Sequence, residues 1–90
     1  MPNYQHGKIY KLVSLVDDYF YIGSTTLSLA QRKTKHKGTA KEHPTRAVYA
    51  HFNRIGWGNC RIVLIENYPC ESKEELVRKE FEHIQANDSD

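Results

Sequence analysis

The sequence predicts an α+β domain in which a three-stranded antiparallel sheet is flanked by helices, in the order ββααβα. Three observations lead there. Residues 8–16 and 19–24 are rich in β-branched and aromatic side chains and flank Asp17 and Asp18, a turn signal. Ser28 with Gln31, and Ser72 with Glu75, have the spacing of capping boxes that open helices. Residues 60–66 form a short apolar run of strand length.

The first two strands read as a hairpin. Side chains alternate faces along a strand. With an even number of loop residues, opposed positions sum to an odd number, and Tyr10 and Tyr21 share one face. An odd loop or a bulge would separate them. The first helix runs from Ser28 to about Lys37, with Gly38 as its stop, and 38–43 follow as a loop. Thr45 caps a second helix that Gly56 ends near Ile55; Val48, Phe52 and Ile55 form its apolar stripe. Four consecutive apolar residues make 60–66 a central strand. After Pro69, the last helix runs from Ser72 to about Ala86, with Leu76, Val77, Phe81 and Ile84 as its buried stripe.

Ninety residues make one domain on one core, with little room for a second module. Mean hydropathy is −0.71. No apolar run approaches the roughly 18 residues of a membrane span, and the start lacks the regions of a signal peptide. A soluble intracellular protein is expected, cytoplasmic or nuclear. Cys60 and Cys70 have no metal-ligand spacing and read as two reduced thiols. Net charge is +2, yet residues 71–90 hold seven acidic and three basic residues, which leaves the first 70 at +6. The densest stretch holds Arg32, Lys33, Lys35, Lys37, Lys41 and Arg46, with Glu42 as its only acid. Such a tract suits a polyanion or serves as a solvated helix face.

Four kinds of residue could carry chemistry. Glu80 lies four after Leu76 and four before Ile84, so a carboxylate sits in an apolar stripe. It must find a cation, hydrogen-bond donors or a metal there. Arg32 and His36 are one helical turn apart and project together. Arg can hold a phosphate bidentately, and His can position water or accept a proton. Tyr10 and Tyr21 are either core residues or phenols at a site, where a nearby Arg and a metal would acidify them. His43, His51 and His83 have no zinc spacing, and Trp57 is a core plug or a base-stacking ring.

These residues carry a resemblance. Lys8-Ile9-Tyr10, with Gly7 before it, and Tyr21-Ile22-Gly23, followed by Ser24-Thr25-Thr26, resemble the two words of the GIY-YIG nuclease family. The match spans roughly residues 7–86. The family's helix arginine falls on Arg32, its histidine on His36 and its metal-binding glutamate on Glu80. Lys8 replaces the first glycine of the pattern. The family's supporting asparagine follows the glutamate, and Asn87 is the only asparagine after Glu80.

The resemblance implies a one-metal DNA endonuclease that leaves 5′-phosphate and 3′-hydroxyl ends. Tyr10 would be general base or orient the water, and Tyr21 would hold that water or the scissile phosphate. Arg32 would stabilise transition-state charge, and His36 would assist. Glu80 would hold one Mg²⁺, which Mn²⁺ can replace. Lys33, Lys35, Lys37, Lys41 and Arg46 would contact DNA. The protein would act as a monomer or homodimer, alone or tethered to a DNA-binding domain, in a mobile or viral genetic element. The alternative is a nucleic-acid-binding module with a degenerate or truncated nuclease site.

Overall fold

The computed structural model describes residues 3–88, the last two by backbone only. A short 3-10 turn, Tyr4–His6, leads into strand β1 (Lys8–Ser14) and strand β2 (Phe20–Thr25). Helix α1 (Leu29–Glu42) and helix α2 (Ala47–Ile55) follow, then a 3-10 turn at Trp57–Asn59, strand β3 (Cys60–Asn67) and helix α3 (Lys73–Asp88). The α+β class and the ββααβα order are as the sequence predicts. Among the described residues, no helix is long and apolar enough to cross a membrane.

The hairpin has the even loop that places both tyrosines together. Tyr10 opposes Gly23 and Leu12 opposes Tyr21, so every pair sums to an odd number. The loop is shaped by side chains. Ser14 Oγ accepts from the Val16 and Asp17 amides, and Asp17 Oδ1 accepts from the Tyr19 amide.

Strand order is β2-β1-β3, all antiparallel, so β1 is central and β3 is an edge. This corrects the expectation for 60–66. Its apolar run reports cover on both faces, not neighbours on both sides. Ile62 packs with Tyr10 and Leu12, while Ile65 packs with Ile9 and Leu76 on the opposite face. A register shift between Ile9 and Tyr10 helps bring Glu66 opposite Ile9.

The sheet therefore has two cores. One joins Ile9, Ile22, Cys70 and Leu76 beneath α3. The other joins Tyr10, Leu12, Phe52 and Cys60 beneath α1 and α2, with Trp57 packed against it as a plug. Trp57 Nε1 donates to Asn53 Oδ1, and its ring lies 5.4 Å from Phe52. Both cysteines are free and buried.

Three helix details differ from the sequence reading. Helix α1 passes through Gly38 and ends at His43, whose amide returns to the Thr39 carbonyl, just before Pro44. A mid-helix glycine costs only about 1 kcal/mol. Ala40, fully buried one half-turn later, anchors the extra turn. Helix α2 begins after Arg46 with no side-chain cap, so Thr45 does not cap it; Gly56, at φ +91°, does end it. Helix α3 is rolled about its axis. Leu76 is buried and Ile84 packs against the same core, but Val77 and Phe81 are 44% and 55% exposed. The stripe facing the sheet is the i, i+4 line through Leu76, Glu80 and Ile84, and it keeps the carboxylate in place of two apolar residues.

Candidate active site

The site begins with an absent side chain. Gly23 lies across the ladder from Tyr10, and a Cβ on it would stand 2.5 Å from the Tyr10 hydroxyl and 2.7 Å from Cζ. The glycine of the second word lets the phenol of the first lie flat over β2. Tyr10 is fully buried there.

Helix α1, fixed by the complete Ser28–Gln31 capping box, brings Arg32 and His36 onto that phenol. Arg32 Nε donates to the Tyr10 oxygen at 3.1 Å. The Tyr10 hydroxyl and His36 Nε2 are 2.6 Å apart. On the far side of the imidazole, Nδ1 lies 3.0 Å from the Tyr49 hydroxyl. The rings of Tyr10, Tyr21 and Tyr49 each sit 5.8 Å from the His36 ring. Tyr49, on α2, was not singled out from the sequence. It lies thirteen residues from His36, and only the packing of α2 on α1 brings the two together.

Electrostatics set the resting protonation. Burial pushes the Tyr10 phenol up to about 12, outweighing the Arg32 charge that pulls it down. Desolvation is thus a larger effect on this phenol than the arginine beside it. Burial also raises Tyr21, with the Glu80 charge adding to it and Arg32 and Arg46 opposing. Burial, helped by Arg32, lowers His36 to about 4, so its imidazole is neutral at pH 7. Glu80 acts on both phenols, as does Arg32, so one field joins these four residues.

Glu80 reaches this edge from the other face of the sheet. Its Oε1 accepts from Ser24 Oγ at 2.5 Å, the hydroxyl immediately after Gly23. Its helix neighbours turn elsewhere: Lys79 pairs with Glu66 and Glu82, and His83 with Glu66. Among the described residues no cation pairs with Glu80, and no group of three metal-ligating side chains occurs. A lone, half-buried carboxylate held by one hydroxyl fits Mg²⁺, which prefers oxygen ligands and keeps most of its waters. The Asn87 side chain lies outside the described residues.

A cleft of about 540 Å³ opens beside Arg32 and Ser24, lined also by Tyr4, Thr26, Lys35 and Lys73. A second hollow, of about 380 Å³, adjoins Tyr21 and is walled by Phe20, Ile22 and Ile84, with no cation. The basic tract divides. Lys35, Lys37, Lys41 and Arg46 are exposed, whereas Lys33 is half-buried and donates to the Cys60 carbonyl at 2.6 Å.

Compared with known proteins, residues 6–89 match the family model described as the GIY-YIG catalytic domain. No curated protein and no solved structure matches the chain.

Proposed function

The chain belongs to the GIY-YIG catalytic domain family, a family of nucleases, and from that premise we propose that it is a Mg²⁺-dependent DNA endonuclease with a one-metal mechanism. One observation carries the reading. Tyr10, Arg32 and His36 are in direct contact, while Glu80 brings an unpaired carboxylate into the same field.

Arg32 uses only Nε on Tyr10, and its terminal amino groups have no side-chain partner among the described residues. They take a non-bridging phosphate oxygen and stabilise the charge that grows on it. Drawing the guanidinium outward uncovers the Tyr10 lone pair for a water. His36 Nε2 takes the Tyr10 proton, and Tyr10 then takes one from the attacking water. Tyr21, half-exposed and beside Glu80, orients that water or the scissile phosphate. Glu80 would hold Mg²⁺ or Mn²⁺, which supplies Lewis-acid stabilisation of the leaving 3′ oxygen. The products are 5′-phosphate and 3′-hydroxyl ends. The cationic cleft past Ser24 and Thr26 gives the substrate strand a path towards Lys35 and Lys73.

The test is nicking of supercoiled plasmid with Mg²⁺ or Mn²⁺, wild type against Glu80→Ala. Wild type is expected to nick, and Glu80→Ala to lose at least a hundredfold, on the scale of a removed electrostatic group. DNA binding without nicking at any metal concentration would instead establish a binding module.

A further inference from the structure

Three side chains stand in series: Tyr10 and His36 are closed off from solvent, at 0% and 1% exposure, and Tyr49 at the outer end keeps 6%. The groups around the imidazole are Tyr10 from β1, Tyr21 from β2, Tyr49 from α2 and Arg32 on its own helix. Among the described residues no carboxylate bonds to it.

A neutral imidazole has one N–H and one lone pair, so its two hydrogen bonds are linked. When Tyr10 donates its O–H to Nε2, Nδ1 carries the proton and donates to the Tyr49 oxygen. When Tyr10 is a phenolate, it accepts from Nε2–H, and Nδ1 must accept from the Tyr49 O–H. A hydroxyl serves both arrangements. A carbonyl or a carboxylate serves only the first.

We infer that Tyr49 is a positioning residue that lets His36 pass the Tyr10 proton onward by switching tautomer, without becoming an imidazolium. The Tyr10 O–H breaks as Nε2–H forms; Nδ1–H breaks as a new Tyr49 O–H forms; the original Tyr49 hydroxyl proton goes to solvent water. One proton leaves Tyr10 and one reaches water, and Tyr10 regains its proton from the nucleophilic water. The low basicity of His36 agrees with this role, since such a ring does not hold two protons near neutral pH.

The kinetic half of the inference rests on the nuclease reading; the tautomer half does not. Tyr49→Phe deletes only the hydroxyl. Imidazole ¹⁵N spectra of wild type at pH 7 are expected to show His36 protonated at Nδ1, and Tyr49→Phe to shift it towards Nε2. In plasmid nicking, Tyr49→Phe is expected to lower kcat about tenfold or more with KM within twofold, and to move the rising limb of the pH–rate profile upward. Val48→Ala, which loosens the same helix, is expected to keep both the tautomer and the pH profile. A wild-type His36 protonated at Nε2, or a Tyr49→Phe protein with an unchanged tautomer, overturns the inference. So does Tyr49→Phe nicking with wild-type kcat and pH profile. If wild type does not nick, the nuclease reading falls and the spectra still decide the role of Tyr49; the wild-type spectrum decides it even if Tyr49→Phe does not fold.

Discussion

Gly23 faces Tyr10 across the β1–β2 ladder so closely that a methyl group there would stand 2.5 Å from the phenol oxygen. The glycine is a steric condition for the site rather than a turn device, because its φ is not positive.

Gly23→Ala is therefore expected to displace Tyr10, whose far end is held by Arg32 and His36 and has no open space to move into. Overpacking of this kind costs about 1–3 kcal/mol. Thermal unfolding should show the loss, and nicking should fall further than stability alone explains. An alanine variant with wild-type melting temperature and activity would contradict the geometry.

Stability should depend on acid through His36. Its folded value is lowered to about 4 from an ordinary 6.5. Above pH 6.5 both folded and unfolded states carry a neutral ring, and the contribution is fully present. As pH falls from 6.5 to 4, the unfolded chain takes up a proton that the folded ring resists. The loss reaches up to roughly 3 kcal/mol. Urea unfolding between pH 7 and pH 4 should show this decline, and His36→Gln should flatten it.

Two lysines two positions apart in sequence should behave differently. Lys33 is tied to the Cys60 carbonyl, so Lys33→Ala is expected to lower stability by about 1 kcal/mol, the usual net value of one hydrogen bond. Nearby, Lys35 is exposed and borders the cleft beside Arg32. Removing it should leave stability within about 0.5 kcal/mol and reduce the salt slope of DNA binding by about one. Equilibrium binding at several salt concentrations, with parallel melting curves, separates the two effects.

The roll of α3 predicts an asymmetry among its apolar residues. Leu76→Ala should cost about 2–5 kcal/mol, as buried leucines do. Phe81→Ser, at a ring 55% exposed, should stay within about 0.5 kcal/mol of wild type. Equal losses at both positions would mean that the stripe lies where periodicity alone puts it.

Much of the candidate site was legible in the sequence. Parity placed Tyr10 and Tyr21 on one face on condition of an even loop, and the register of the hairpin supplies that condition. Helical spacing put Arg32 and His36 together, and the i, i+4 line through Leu76 and Ile84 exposed Glu80 as a carboxylate that needed a partner. Ser24, its actual partner, carried no signal beyond lying next to Gly23. Tyr49 carried none, since it lies beside the Val48, Phe52 and Ile55 stripe and nothing local ties it to His36. Gly38 misled because helix propensity is weak beside the burial of Ala40.

Element order and the spacing of the five candidate residues follow from local chemistry: turn signals, caps, and the periods of strand and helix. These act within a few residues, so one sequence suffices to read them. Which strand is central, how α3 is rolled and which proton state Tyr10 adopts depend on contacts between distant segments. Centrality depends on which edges pair, and an apolar run is equally consistent with helices on both faces. The protonation of Tyr10 depends on how much water packing excludes. There, burial outweighs the neighbouring arginine, and the tertiary structure alone sets that balance.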